Sequence, residues 1–454
     1  IFMGRGEHPL RGRWKQGAQQ EDVTLNLSPG APRPEGNWGE IVWEPEALWV
    51  ARWEDKLSGK LKYVWLGDTA PMKQNRDAEK FDHALELRDK IDEVRERIEA
   101  GLRDADKQRR MLAMACYLID ELSLRVGDEK DADEADTVGA TTLRPEHVRL
   151  HPDYVVEFDF LGKDSVHLNR ELRVSPLVYE TLEELIEDAR PPSSAGNGDG
   201  FHPTRDLPQI FPDVNSRAVN RFLSKVHKDL TAKMFRTYHA TIAVEESLVE
   251  SGVKPSDPEY KKWHAAVLAN LEAARICNHT KKYSGDWEST SQRYQERLEK
   301  ARTRRERYKE QLTERQEKLE VLQVEAATRR ALARTEIDKV DPEDEEGLEK
   351  AKAELKKVKA RYDKRLATAK RQVQTSKERV VRARNAIGKI EAQFNTAGHK
   401  RTWNLGTSLK SYIDPRVYYR WGQKVDYDVL EKYYPKKLRR RFAWVCEDDE
   451  EDEE

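Results

Sequence analysis

Long hydrophobic runs are missing from this 454-residue chain: no eighteen consecutive positions are apolar, which excludes a membrane-spanning helix. Cysteine is scarce. Cys116, Cys277 and Cys446 are scattered without metal-ligand spacing, which argues against a disulfide framework and a zinc site and fits a reducing compartment. The Gly-x4-Gly-Lys-Ser/Thr loop of nucleotide triphosphatases is absent, which disfavours ATP-driven chemistry. Ile1-Phe2-Met3-Gly4-Arg5 lacks both a charged-then-apolar leader and an initiator methionine, which fits a chain that begins partway through a longer protein.

Polar character is abundant instead. Hydrophobic and charged residues each make up 37% of the chain, too polar for a single globule of this length, so part of it must be extended and solvated. The net charge of −2 averages unlike regions. Eight consecutive acids, Glu447 to Glu454, read as a solvated tail; without them 82 basic residues face 76 acidic ones. Basic side chains gather at Arg5, Arg11, Arg13 and Lys15 and in Lys436-Lys437-Leu438-Arg439-Arg440-Arg441. Local patches of this kind, more than totals, attract phosphates.

The organisation reads as helix-rich α+β in four parts. Residues 1–75 form a small β-rich lobe, in which Leu48–Trp53 and Lys60–Leu66 predict a hairpin around Ser58-Gly59. Residues 76–282 read as a helical core interrupted by one further hairpin, Tyr154–Phe160 to Ser165–Leu168, turning at Leu161-Gly162-Lys163-Asp164. Pro191–Gly200 reads as a flexible surface loop. Residues 283–398 change character. Tyr294, Leu298, Ala301, Tyr308, Leu312, Leu319, Leu322 and Ala326 keep a three-four spacing, with Arg305 and Arg315 in the gaps. After an acidic turn at Asp341–Gly347 the pattern resumes at Leu355, Val358, Tyr362 and Ala369, then shifts to Val373, Val380, Ala383, Ile387, Ile390 and Phe394. The spacing predicts an antiparallel coiled-coil hairpin with a weak, charge-laced seam. Residues 399–454 form a small helical C-terminal unit carrying Tyr412 and the acidic tail.

Tyr412, on a short segment just past that arm, reads as a mobile nucleophile more than a packing residue. A tyrosine attacking a phosphodiester needs specific help. Its phenol must lose a proton against a reference pKa near 10. The phosphorane needs preorganised cations, arginine forks above all. The leaving oxygen needs a general acid. Five ordered segments supply such groups: Leu122-Ser123-Leu124-Arg125-Val126-Gly127-Asp128-Glu129-Lys130, Phe158–Ser165 with Lys163, Leu230–Tyr238 with Arg236, Cys277-Asn278-His279, and Leu405–Arg416 with Tyr412.

Taken with the opening Gly4-Arg5-Gly6-Glu7-His8-Pro9 and the coiled coil between histidine and tyrosine, these segments resemble the eukaryotic-type DNA topoisomerase IB family over nearly the whole chain. The resemblance implies that Arg125 and Arg236 grip the non-bridging oxygens of the scissile phosphate. It implies that Lys163 protonates the 5′-oxygen, that His279 donates to the same phosphate, and that Tyr412 forms a 3′-phosphotyrosyl bond. DNA-contacting roles are implied for Arg5, His8, Lys15, Asp164, Lys233, Asn278 and Ser411. The expected partner is duplex DNA, gripped by a monomeric clamp that uses no cofactor, metal, ATP or membrane. The expected location is intracellular, in the cytoplasm or nucleoid of an archaeal enzyme, toward which the divergent linker and short loops lean, or in the nucleus of a eukaryotic one. Most of the family's cap lobe would precede Ile1. Ser411 departs from the asparagine that animal and fungal members carry in their camptothecin-type poison pocket.

Taken singly, each residue has an ordinary reading. Arg125 would pair with Asp128 or Glu129, Lys163 would be a turn lysine, and Arg236 a polar helix face. His279 would cap a helix, and Tyr418, Tyr419, Tyr433 and Tyr434 are rival tyrosines that look like packing aromatics. A tyrosine recombinase uses similar groups but typically places histidine three residues before the second arginine, where Lys233 stands here. A non-catalytic DNA-binding scaffold is the alternative outside the enzymes.

Overall fold

The computed structural model describes residues 1–3, 8–128, 136–190 and 208–446. Arg5 and the Pro191–Gly200 loop therefore lie outside the described residues. The chain divides into two compact units, one built from Ile1–Ser256, Ala265–Tyr283 and His399–Glu454, the other from Asp257–His264 and Ser284–Gly398. None of the described helices is long and apolar enough to cross a membrane.

The first unit opens with a four-stranded sheet of β1 (Thr24–Asn26), β2 (Glu40–Val42), β3 (Trp49–Glu54) and β4 (Leu61–Trp65), in the order β2-β1-β3-β4. β3 and β4 are the hairpin expected from their aromatic, β-favouring residues, while β1 pairs in parallel with β2. Helix α1 (Pro71–Leu102) starts on proline, whose missing N–H is no loss at a first helical position. It buries Phe81, Ala84, Leu87, Ile91, Val94, Ile98 and Leu102, one stripe at three-four spacing. Helix α2 (Lys107–Leu122) is capped by the Asp106 carboxylate, which accepts from the Gln108 N–H at 3.0 Å, and is buried on most of its surface.

A second, antiparallel sheet follows: β5 (Val148–His151), β6 (Val155–Gly162) and β7 (Val166–Arg173). Its alternation is clean. Val156, Phe158 and Phe160 point into the core, while Glu157 and Asp159 meet Arg149, His151, His167 and Asn169 on the outer face. Helices α3 (Pro176–Ala189), α4 (Ser216–Leu223) and α5 (Ala232–Glu250), with α6 (Glu259–Ile276) from Ala265 onward, complete this part. One hydrophobic core runs from Leu87 on α1 through α2 and the sheet to Phe235 on α5.

The second unit is dominated by α7 (Trp287–Asp338) and α8 (Glu345–Lys400), of 52 and 56 residues. At ~1.5 Å rise each spans roughly 80 Å. Side-chain contacts between them run antiparallel: Tyr294 stacks on Phe394, Arg302 meets Glu391, Arg315 meets Ser376 and Tyr362 meets Glu325. The seam follows the expected residues, with Leu298, Ala326, Tyr362, Val373, Ala383 and Ile387 buried. Arg315, a break in the apolar pattern, lies across the seam and donates to the Ser376 hydroxyl at 2.6 Å. The turn is shorter than expected. Gly347 already lies in the first turn of α8, its N–H held by the Asp344 carboxylate.

Short helices α9 (Leu405–Ser411), α10 (Pro415–Lys424), α11 (Val429–Lys432) and α12 (Lys436–Arg441) close the first unit. Arg441 makes a buried two-pronged ion pair with Asp77 of α1, at 2.6 and 2.7 Å. This pair fixes α12 to the same helix that supports the tyrosine segment.

Candidate active site

Five chain segments carry the expected site residues, and each is held by backbone geometry. Helix α2 stops at Ser123, which takes a left-handed conformation (φ 50°) and turns the chain so that Leu124 enters the core while Arg125 stays exposed. The segment after it is pinned to Gly139: the Ala140 N–H donates to the Arg125 carbonyl and the Thr141 N–H to that of Val126. Gly127 (φ +79°) and Gly139 lie back to back, and a Cβ on Gly139 would sit 2.5 Å from the Gly127 Cα. Only glycine fits at either position, so the approach that presents Arg125 is built into the sequence. Asp128, one of the two acids whose nearness gives Arg125 its ordinary ion-pair reading, accepts from the Ser216 N–H at 2.9 Å, and Glu129 lies outside the described residues.

Lys163 is exposed at the tip of the β6–β7 hairpin, where Asp164 and Ser165 adopt φ of 66° and 55°. Arg236 lies on α5 and is 6% exposed. Its guanidinium donates to the Ser123 carbonyl, to the Cys277 carbonyl at 2.8 Å and to His279 Nε2 at 3.4 Å. Its Nε–H is buried without a partner. A buried cation is ordinarily paired with an acid. This one is held by two carbonyls and an imidazole, and one of its donors is still free for an anion.

His279 follows the end of α6. Arg170 of β7 donates to the carbonyls of Arg275 and Ile276, the last two residues before Cys277-Asn278-His279. Asn278 (φ 50°) donates to the His167 carbonyl at 3.0 Å, which binds this turn to the Lys163 hairpin. Burial, with Arg236 and Arg125 beside it, pushes the His279 pKa down to about 3, so the ring is neutral at neutral pH. Guanidinium N–H groups only donate, so Nε2 is the bare nitrogen, and Nδ1–H donates to Ser408 Oγ at 2.7 Å.

Tyr412 ends α9. The expectation of a mobile, loosely held tyrosine does not describe its environment. The residue is 7% exposed, with its ring 5.0 Å from that of His279. The Arg236 and Arg125 guanidinium carbons lie 5.0 and 6.0 Å from the ring centre. Its main chain is fixed on both sides. Lys80 of α1 donates to the Ser411 carbonyl at 3.2 Å, and Thr241 of α5 donates to the Tyr412 carbonyl at 3.3 Å while accepting from the Asp414 N–H. Burial, helped by the nearby Arg441 and Lys233 and opposed by the carboxylates of Asp77 and Asp414, lowers the Lys80 pKa to about 8.

Arg125, Lys163, Arg236 and His279 all line one cleft of about 780 Å³, together with Asp164, Asn278, Lys281 and Lys282. Other expected contacts are placed differently. Lys15 forms an ion pair with buried Asp55. His8 is half-buried and accepts from the Leu10 N–H through Nδ1. Lys233 is exposed on α5 and electrostatically coupled to Lys80. The rival tyrosines do pack: Tyr418 is fully buried and donates to the Ala266 carbonyl, and Tyr433 bonds Asn270, burial raising its pKa to about 12.

A profile of the eukaryotic DNA topoisomerase I catalytic core matches residues 69–312. The DNA binding fragment of the same family matches residues 1–66, and a C-terminal topoisomerase domain matches residues 384–453. The chain belongs to the eukaryotic DNA topoisomerase I family. The stretch between these topoisomerase matches, 313–383, falls within α7, α8 and their turn. Among curated relatives, DNA topoisomerase 1 alpha of Arabidopsis thaliana is 32% identical over 453 residues, covering 98% of this chain and 43% of that protein. DNA topoisomerase I, mitochondrial, of Rattus norvegicus is 30% identical, covering 98% and 67%. DNA topoisomerase 1 of Homo sapiens is 30% identical, covering 100% and 53%. The chain spans about half the length of most curated relatives it matches.

Within this topoisomerase family member, sequence reading missed Lys80, Arg170, Thr241 and Ser408. Each acts on a main-chain carbonyl or a hydrogen-bonding side chain more than a hundred residues away, and no local spacing carries that signal.

Proposed function

We propose that this protein is a type IB DNA topoisomerase that relaxes positive and negative supercoils without ATP or a metal. It works by cutting one strand, letting the free end rotate, and resealing. The observation that carries this reading is Arg236, a buried cation without an acid partner, standing over Tyr412 beside a neutral histidine. That is an anion site next to a nucleophile.

In this reading the scissile phosphate enters the cleft and takes the free Nε–H of Arg236 and the fork of exposed Arg125. The phenol oxygen of Tyr412 attacks phosphorus as its proton passes to water. The bond to the 5′-oxygen breaks, and the Lys163 ammonium supplies that oxygen with a proton. Religation runs the same path backwards: the 5′-hydroxyl attacks, the phenolate leaves and is reprotonated, and Lys163 recovers its proton. The phosphotyrosine conserves the bond energy, so no ATP is needed. His279 donates to the phosphate only in its other tautomer: with phosphate bound, the ring proton stands on Nε2, Arg236 turns its N–H to the phosphate, and the Ser408 hydroxyl donates to the bare Nδ1.

Phosphate contacts would dominate the grip on duplex DNA, since relaxation anywhere requires little base reading. Exposed Lys410, Lys436, Lys437 and Arg440 line one groove of the first unit, with Asp68 paired to Lys437 and half-buried Lys73, and this basic excess suits such a grip. From membership of the family we further assign DNA-contacting roles to Asp164, Lys233, Asn278 and Ser411, a monomeric working state, and an intracellular setting where chromosomal DNA lies. The deciding experiment is covalent trapping. The protein is mixed with a duplex whose cleaved end is lost by dissociation, quenched in detergent, and the adduct mapped. A 3′-phosphotyrosyl bond at Tyr412 is expected; tight binding without any adduct would favour a DNA-binding scaffold.

A further inference from the structure

Helix α1 and the turn before α5 bring together three metal-binding side chains that the reaction does not use. Glu86 of α1, His227 and Asp229 place a carboxylate oxygen, an imidazole nitrogen and a second carboxylate oxygen all within 4.8 Å of one another. His227 Nδ1 is shielded from solvent and has no hydrogen-bond partner. It faces Glu86 Oε2 at 3.8 Å, too long for a hydrogen bond. An unpartnered buried nitrogen aimed at a carboxylate is costly on its own. A cation shared with the carboxylate would give the His227 nitrogen its missing partner and use the remaining lone pair of Glu86 Oε2: ligands at about 2.0–2.1 Å from a tetrahedral ion are themselves roughly 3.4 Å apart.

We propose that Glu86, His227 and Asp229 form a binding site for a divalent transition metal ion of the zinc type. The donor set selects the class. Calcium and magnesium take all-oxygen shells, whereas an imidazole with carboxylates suits zinc, cobalt or nickel. Three protein ligands leave a fourth position for water. His83, one turn before Glu86, reaches the same Oε2 with Nδ1 at 3.1 Å and orients the carboxylate. The competing cation is Lys228, whose Nζ lies 3.9 Å from Asp229 Oδ2; it is 85% exposed and can turn into solvent. The three ligands are half-buried, which leaves an entry path.

The location gives the ion a structural task. Glu86 shares α1 with Lys80, which holds the Ser411 carbonyl, and Asp229 precedes α5, which carries Arg236 and Thr241. An ion here ties α1 to the turn that leads into α5, and both helices hold the tyrosine segment. It takes no part in the reaction, so relaxation in a chelator and binding at this site are compatible.

The test uses the full chain, stripped with chelator and dialysed, then titrated with cobalt(II) while the visible ligand-field absorption is followed. One saturable equivalent is expected, displaced by zinc(II) and not by magnesium(II). Affinity should be weaker by at least tenfold in His227→Ala and in Glu86→Gln, and zinc should raise the melting temperature of the parent but not of either variant. Absence of a saturable band in folded protein would overturn the proposal. So would a band that survives in both variants, or one with thiolate-to-cobalt charge transfer, which would place the ion on a cysteine. Circular dichroism of the variants separates loss of binding from loss of fold.

Discussion

The Ser408 hydroxyl lies 2.7 Å from Nδ1 of His279, one helical turn before Tyr412 on the same short helix. The two residues are 129 positions apart in the chain, yet the imidazole is oriented by the segment that carries the nucleophile. Two backbone bonds reinforce this coupling: the Asn404 N–H donates to the His279 carbonyl at 2.7 Å, and the Lys281 N–H to that of Thr402 at 2.8 Å.

Ser408→Ala should therefore slow strand cleavage without weakening DNA binding. Losing one orienting hydrogen bond of about 1–1.5 kcal/mol corresponds to roughly a tenfold slower step. Single-turnover cleavage at saturating enzyme measures it, and Ser408→Thr should recover most of the rate. An equal loss in binding and cleavage would show that Ser408 is only a packing residue.

Gly139→Ala tests how Arg125 is presented. The added Cβ meets the Gly127 backbone, which is itself in a left-handed conformation and cannot give way cheaply. A destabilisation of about 2 kcal/mol or more is expected in denaturant unfolding. Cleavage should fall further than the melting temperature alone explains, because Ala140 and Thr141, the two residues after Gly139, donate to the Arg125 and Val126 carbonyls.

Acid sensitivity follows from His279. Its folded pKa is depressed to about 3, whereas the unfolded ring titrates near its ordinary value of about 6.5. Between those values the unfolded chain binds the extra proton, so the contribution is complete above about 6.5 and is lost progressively as the pH falls toward 3. Unfolding midpoints at about pH 7 and about pH 5 should differ less in His279→Gln than in the parent. A variant that loses just as much on acidification would assign the sensitivity to other groups.

Much of this architecture was legible in the sequence, for physical reasons that differ by region. The long helices betray themselves by the spacing of Leu298, Tyr362, Val373 and Ile387, because a two-helix seam has no other way to bury apolar surface. The β6–β7 hairpin shows through its alternation. The three-residue strands β1 and β2 are too short to show any period, and β2 pairs in parallel across an intervening loop. In the candidate site, Arg236 reads by position as a polar helix face, whereas α5 in fact turns it inward. Lys163 became visible only through resemblance, since nothing local distinguishes it from a turn lysine. The supporting residues Lys80, Thr241 and Ser408 were invisible because their partners are distant carbonyls and rings. The scarcity of cysteine spoke only to thiolate sites and left the histidine and carboxylates of α1 and the α4–α5 turn unread.

The most direct test of the central claim is relaxation of supercoiled plasmid by the full chain in chelator without ATP, alongside Tyr412→Phe. The phenylalanine keeps the packing against His279 and Arg236 and removes only the attacking oxygen. The account predicts that the parent relaxes both positive and negative supercoils, and that the variant binds the plasmid but leaves it supercoiled. Relaxation that survives in Tyr412→Phe would contradict it, because another group would then be breaking the strand.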